Sequence, residues 1–525
     1  MPDKGHEGGQ LPESPKSYWK DSVDLPDFPQ LKEDLEVDVV IVGGGLTGIT
    51  TAYLLANEGF KVALLEANKL LNGTTGHTTA KITAQHGLIY DEFIQNIGES
   101  KARLYYEAST KALNFIKETV NEQNIDCDFI EQDAYLYATT EKYARKLENE
   151  ARAYEKLGID GEMVDSIPFN IDIKKGLVMK KQAQFNPLKY LANLVQGIVD
   201  KGGQIFENTT CVNVETGKHP KVLTHNKKSV TGNYVIACSH FPFYEGMGLY
   251  SARMHADRSY ILAVKTKEDY PGGMYVSADD PVRSLRSVTI NGEEMVLVVG
   301  ESHQTGQGMD TMEHYKALES FSQNVFEVDK ILYRWSAQDL VTQDKVPFIG
   351  AITSNQPNIM VATGFRKWGM TNGTVAALLF RSRILGRSND YDKLFAPSRF
   401  YVNPSLKNFF VDNADVVSHL IKGKLEVPSK TVEDLSNDEA AVVSIKGHRK
   451  GAYKDQEGTM HIVDTTCTHV GCEVGWNNGE RTWDCPCHGS RFSYTGEVIE
   501  GPAEKPLKKY DYHMIENLTS EESGY

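Results

Sequence analysis

Val37-Asp-Val-Val-Ile-Val42 runs directly into Gly43-Gly-Gly45-Leu-Thr-Gly48, and this junction decides the architecture of most of the chain. The first half is a β-branched run of strand length, read as buried on both faces beyond Asp38. The second half carries glycines at the first, third and sixth positions of a turn. Ile49–Glu58 then has helical periodicity and stops at Gly59, and Lys61-Val-Ala-Leu-Leu-Glu66 is a second strand ending in an acid. A strand, a glycine turn, a helix and a strand with a terminal acid form the dinucleotide-binding unit in its required context. Gly43 permits the tight turn, Gly45 lets backbone approach a pyrophosphate, and Gly48 lets helix and strand pack closely. The free N–H groups of the helix start suit phosphate, and Glu66 can accept from ribose hydroxyls.

That unit alone leaves NAD and FAD open. The next stretch, Leu71-Asn-Gly-Thr-Thr-Gly-His-Thr-Thr-Ala-Lys81, favours FAD, because small and hydroxyl residues after the ribose acid suit a loop passed by a long cofactor. No second GxGxxG occurs, which counts against a further Rossmann unit for NAD(P)H.

Composition sets the outer limits. A chain of 525 residues is expected to hold two to four units. With 40% hydrophobic and 24% charged residues it reads as an ordinary globular protein. A net charge of −15 works against nucleic acid and anionic membrane as partners. No apolar run approaches the roughly 18 residues of a membrane span. The polar stretch Met1–Ser17 does not read as a secretory leader, so cytoplasmic residence is expected. Three of the seven cysteines, Cys127, Cys211 and Cys238, are scattered and read as small buried residues.

The other four cysteines lie in two late segments, Cys467-Thr-His-Val-Gly-Cys472 and Cys485-Pro-Cys-His-Gly-Ser490. Each segment offers a thiolate and an imidazole, as C-x-H and as C-x-x-H. A [2Fe–2S] centre with differently held irons needs two of each. Zinc is the competing reading, but zinc pairs usually open with C-x₂₋₄-C and close with H-x₃₋₅-H. On Cys467, His469, Cys485 and His488 the segment resembles the Rieske [2Fe–2S] domain. The resemblance implies that the two cysteines hold the inner iron and the two histidines the outer one. It implies a disulfide between Cys472 and Cys487, and a hydrogen bond from Ser490 to a cluster sulfide. Phe492 stands where that class often has tyrosine, so one cluster hydrogen bond is missing and a lower reduction potential is expected.

Between these landmarks, helices are expected over Glu99–Gln123 and Glu141–Leu157 and from Asn186, with Pro187 in the first turn. Strands are expected over Phe129–Thr139 and Gly203–Glu207. Val212–Thr224 and Ser229–Cys238 are expected to form hairpin strands around polar turns. Residues 250–330 alternate apolar and polar and read as a β-rich subdomain. Trp335…Asp344…Pro347…Gly350 precedes Ile359-Met-Val-Ala-Thr-Gly364, which leads into a helix over Thr374–Leu385. A helix start beside Arg366 and Lys367 suits the N1/C2=O edge of a reduced flavin.

With these elements, residues of about 35–400 resemble the D-amino-acid oxidase/glycine oxidase family of FAD-dependent oxidoreductases. The whole chain resembles bacterial fusions of that family with a C-terminal Rieske domain. The fold implied is α/β plus all-β: a Rossmann-like FAD domain with an interleaved antiparallel-sheet substrate domain, then a small all-β domain. The divisions expected are a tail at 1–30, ordered where Trp19 packs, and the oxidoreductase at 31–400. Its FAD parts are about 31–90, 185–245 and 331–400, and its substrate parts about 91–184 and 246–330. A linker at 401–430 with a helix near Val416–Ile421, the Rieske domain at 431–516 and a tail at 517–525 complete the chain.

By the same resemblance FAD is met by Gly43, Gly45, Leu46, Thr47, Gly48 and Glu66, by Thr74, Thr75, His77 and Thr78, and by Gly364, Arg366, Lys367, Gly369, Met370 and Thr371. His77 lies near a position where some relatives attach flavin covalently. Gly76 replaces the tryptophan that precedes it there, so non-covalent contact is expected. Arg258, Tyr260, Arg286 and His303 are candidates for binding a substrate carboxylate, against the ordinary alternative of sheet-edge arginines. The activity implied is oxidation of a C–N bond in an amine or amino acid. Electrons would pass through the cluster to a protein, a quinone or O₂. A non-catalytic redox sensor or assembly protein, and a Rieske-fed oxygenase, are the competing classes.

Overall fold

The computed structural model describes residues 10–399 and 430–511. The expected linker, its helix near Val416–Ile421 and the tail at 517–525 lie outside the described residues. The described residues fall into two compact units, one of 10–254, 258–302 and 315–399, the other of 255–257, 303–314 and 430–511.

The first unit is built on a six-stranded sheet. Val39–Val42 lies at its middle, parallel to Val62–Leu65 on one side and Tyr234–Ala237 on the other. Gln204–Phe206 extends one edge, parallel to Val62–Leu65. Ile359–Thr363 extends the other, and Phe348–Ala351 closes it antiparallel. All four residues of Val39–Val42 are buried, as a strand covered on both faces requires. Helix Leu46–Asn57 follows the glycine turn, and Asn186 caps helix Pro187–Asp200 by accepting from the N–H groups of Leu188 and Lys189.

A nine-stranded sheet carries the other half of this chain region. Arg283–Ile290 pairs antiparallel with Met274–Ser277 and Glu293–Gln304, Lys175–Gln184 pairs antiparallel with Ile130–Ala138, Lys81–Ile82 and Gly161–Val164, and Met274–Ser277 pairs parallel with Ile130–Ala138. Helices Glu99–Glu122 and Glu141–Leu157 form as the apolar spacing foretells. Residues 250–330 are rich in strands, and among them Thr311–Val325 is a helix that the alternating pattern does not announce. Its buried residues Tyr315, Leu318 and Ser322 recur every three or four positions, so helical period overrides the surrounding alternation. The helix at the second glycine turn starts at Gly369 and ends at Ile384.

The N-terminal segment is ordered where Trp19 packs, at 0% exposure. In the second unit two four-stranded antiparallel sheets hold the late cysteines. One contains Glu439–Ile445, His448–Lys454 and Met460–Asp464, and the other Gly475–Asn477, Thr482–Asp484 and Arg491–Ser493.

Candidate functional site

At the first turn, geometry demands Gly43 and Gly48. Gly43 has φ +110°, and a Cβ there would sit 2.5 Å from the carbonyl oxygen of Cys238. A Cβ on Gly48 would sit 2.0 Å from the carbonyl oxygen of Gly43. Around Gly45 the nearest atom to an added Cβ is Thr75 Oγ1 at 3.1 Å. That hydroxyl accepts from the N–H of Leu46 at 3.1 Å, joining the Thr-rich loop to the helix start. Glu66 ends its strand with both carboxylate oxygens engaged, by the N–H of Gly44 at 2.7 Å and of Asn68 at 2.9 Å. Burial raises its pKa, and those N–H groups oppose the shift.

The second turn is wedged against the first. A Cβ on Gly373 would meet Thr47 Oγ1 at 2.5 Å, so the two helices cross in close contact. Gly364 has φ +72°, and Arg366 follows with φ +55°. The Arg366 guanidinium donates to the His86 carbonyl at 2.6 Å, and Lys367 is exposed. Met370 is buried, and Thr371 Oγ1 donates to the Thr83 carbonyl at 2.9 Å. Thr74 Oγ1 donates to the carbonyl of Gln338, and Thr78 Oγ1 accepts from the N–H of Ala80. His77 is half-buried, its Nδ1 2.9 Å from the Gly73 carbonyl.

The four substrate candidates have distinct surroundings. Arg258 is fully buried, with Nη1 on Ser336 Oγ at 2.8 Å and Nη2 on Gln338 Oε1 at 2.9 Å. Tyr260 is buried edge-on to Tyr315. Arg286 donates to the carbonyls of Thr79, Ala80 and Ser287. His303 stacks on His314, ring centroids 4.4 Å apart, and lies with it in the second unit.

Two groups beside the loop escaped the sequence reading. Lys81 is buried and its amine donates to Ser284 Oγ. Burial, with the Arg286 charge adding, brings its pKa down to about 7. His86 is buried and stacked on Trp368 at 4.8 Å. Its Nε2 faces the Thr83 carbonyl at 2.8 Å and so carries the proton, leaving Nδ1 to accept from Tyr105 Oη at 2.7 Å. Burial pushes its pKa to about 3, so the ring is neutral. Both sit in a run whose hydroxyls and alanines signal only a loop.

In the second unit two loops converge. Cys467 N–H donates to the Cys472 carbonyl at 2.7 Å, and Cys485 N–H to the Ser490 carbonyl at 2.8 Å, closing each loop on itself. Cys472 and Cys487 form a disulfide across the two loops. The sulfurs of Cys472, Cys485 and Cys487 lie within 4.8 Å of one another. The disulfide removes two of those as ligands and leaves Cys467 and Cys485 as free buried thiols. His469 and His488, both half-buried, stand edge to face with ring centroids 5.0 Å apart.

The hydrogen bond with Cys485 pulls the Cys467 thiol down to about 7, while Cys485 is driven up by that partner and by burial. Burial, with His469 adding, lowers His488 to about 4, so it is a neutral imidazole. Its buried Nδ1 has no hydrogen-bond partner among the described residues. Two thiols and two imidazoles around an orphaned ring nitrogen fit a [2Fe–2S] cluster, with the sulfurs deep and the imidazoles nearer solvent. Ser490 Oγ accepts from the Ala503 N–H at 3.0 Å. Phe492, fully buried opposite Trp483, places no hydroxyl at its position.

Joining loops 15 residues apart, the disulfide is expected to contribute about 3 kcal/mol. The double variant Cys472→Ser/Cys487→Ser should lose the cluster's visible circular dichroism at a correspondingly lower denaturant concentration. An unchanged midpoint would refute that contribution.

The family described as FAD dependent oxidoreductase matches residues 38–383, and the family described as Rieske [2Fe-2S] domain matches residues 426–511. The chain belongs to the FAD-dependent oxidoreductase family. It is an enzyme of that family with a C-terminal Rieske domain, and its cofactors are FAD and a [2Fe–2S] cluster. It is 54% identical over 499 residues to YhfW of Bacillus subtilis (strain 168), named as a Rieske 2Fe-2S iron-sulfur protein. The match covers 95% of this chain and 98% of that one. Over 397 residues it is 23% identical to γ-glutamylputrescine oxidoreductase of Escherichia coli (strain K12), covering 73% of this oxidoreductase and 92% of that one. The fold is also that of glycine oxidase from Geobacillus kaustophilus. There the TM-score is 0.58 at 16% identity, over 70% of this chain and 99% of that one. No helix among the described residues is long and apolar enough to cross a membrane.

Proposed function

We propose that this oxidoreductase oxidises a C–N single bond of an amine or amino acid and delivers the electrons through its cluster to an external acceptor. The observation that carries the reading is the presence in one chain of the Gly43–Gly48 turn with Glu66 and of the two-thiol, two-imidazole pocket. When bound, FAD supplies two-electron acceptance and the cluster supplies one-electron carriage. Oxidising the bond to an imine removes two electrons and two protons, and a protein, a quinone or O₂ takes the electrons.

The chain's own residues divide the remaining work. The backbone at Gly45, Leu46 and Thr47 receives the pyrophosphate, and Glu66 exchanges its backbone partners for ribose hydroxyls. Arg258 and Tyr260 are proposed to hold the substrate. Arg286 and His303 remain candidates, although the Arg286 guanidinium already serves three carbonyls. The E. coli relative has an amine-derived compound in its name, which supports an amine substrate.

Anaerobic addition of primary and secondary amines and amino acids tests the reading. The matching compound should bleach the flavin absorbance, and the electron paramagnetic resonance signal of the reduced cluster should follow. If dithionite bleaches the flavin and no compound of these classes does, the C–N assignment fails.

A further inference from the structure

Five consecutive carbonyls of the Thr-rich loop, from Gly76 to Ala80, each accept from a side chain distant in sequence. Ser17 Oγ donates to Gly76 at 2.6 Å, Trp335 Nε1 to His77 at 2.9 Å and Trp19 Nε1 to Thr78 at 2.7 Å. Arg286 Nη1 donates to both Thr79 and Ala80 at 2.9 Å. A single side-chain bond to a loop carbonyl is commonplace; five in succession fix every peptide plane of the segment.

Two of these donors come from the segment at 10–22, which is itself tied down. Lys16 N–H donates to the Arg334 carbonyl at 2.8 Å, and the Arg334 side chain returns bonds to the carbonyls of Pro12 and Glu13. Tyr18 Oη donates to the Thr289 carbonyl at 2.8 Å. Ser17 and Trp19 are 2% and 0% exposed, and the Arg286 guanidinium lies over the Trp19 ring at 5.6 Å. With its carbonyls held on this side, the loop keeps Thr75 Oγ1 on the N–H of Leu46, at the helix start that faces the pyrophosphate.

We propose that the segment at 10–22 is a positioning strap for FAD. Ser17 and Trp19 fix the carbonyls of Gly76 and Thr78, and so hold the loop in the conformation the cofactor meets. The strap lies before the Rossmann unit in the chain, yet it governs how tightly that unit retains its cofactor. The inference rests on the assignment of the loop to FAD made above.

The test uses the full-length protein, stripped of FAD and titrated with it, with flavin fluorescence and visible circular dichroism as readouts. Ser17→Ala and Trp19→Phe each remove one donor, and each should weaken FAD binding about fivefold, the scale of one buried hydrogen bond. Both should also alter the dichroism of the bound flavin. Lys117→Met, outside the strap, breaks the exposed ion pair with Glu131 and should change neither. Thr75→Ala tests the loop itself. If Thr75→Ala weakens FAD while the two strap variants bind it like the parent, the strap proposal falls and the loop assignment stands. If none of the three matters, the loop assignment falls with it. Equal weakening by Lys117→Met would reduce the strap to general stability and overturn the proposal. Should Trp19→Phe fail to fold, Ser17→Ala decides alone.

Discussion

Serine in place of Cys485 is expected to empty the cluster site, with iron falling from about two atoms per chain to near zero. Cys485 is 1% exposed at the base of its loop, and its thiol hydrogen-bonds with that of Cys467. Among the described residues no neighbour can substitute for it. The other sulfurs nearby, Cys472 and Cys487, are joined to each other. A serine oxygen is a poor ligand for iron, which thiolates hold in such clusters. His488→Ala should give the same loss, since it deletes the imidazole whose buried Nδ1 has no partner among the described residues. Cys211→Ser, at a free buried cysteine of the other unit, should keep its iron. FAD should stay bound in all three, so substrate would still bleach the flavin while the cluster's resonance signal disappears from the first two. Zinc in the parent protein at one atom per chain, without iron, would defeat this account of the pocket.

The contrast between what the sequence discloses and what it hides follows from the range of the forces involved. Gly43 and Gly48 are legible because close backbone approach leaves no alternative residue, and the strand and helix around them are local patterns. Cys467, His469, Cys485 and His488 are legible because metal chemistry accepts few residue types. The pairing of Cys472 with Cys487 was available only through resemblance, and the structure bears it out. Helix Thr311–Val325 was missed because its buried stripe includes Ser322 and is flanked by alternating strands. Lys81 and His86 were missed because a charged or polar side chain in a loop normally faces water. Their burial is created by Ser284, Tyr105 and Trp368, which lie between 19 and 282 residues away. Nor does any periodicity announce that Ser17 and Trp19 bond to carbonyls 59 residues on.

Alanine at Gly48 is expected to reduce FAD affinity between roughly fivefold and a hundredfold. The added Cβ would sit 2.0 Å from the Gly43 carbonyl oxygen, a backbone atom that can retreat only if the turn moves. Overpacking of this kind costs about 1–3 kcal/mol, and each factor of ten in affinity corresponds to about 1.4 kcal/mol. The displaced atom belongs to the turn proposed to receive the pyrophosphate, so the cost should fall on cofactor binding as well as on folding. Gly59 offers the comparison. It closes the same helix with φ +86°, and an added Cβ there meets nothing within 4 Å. Gly59→Ala therefore carries only the strain of a left-handed residue, on the order of 1 kcal/mol. It should lower the melting temperature while leaving the FAD dissociation constant at the parent value. Fluorescence titration of the two stripped variants separates the effects. A Gly48→Ala protein that binds FAD as tightly as the parent would show that the close approach at this turn is a feature of packing and not of cofactor recognition.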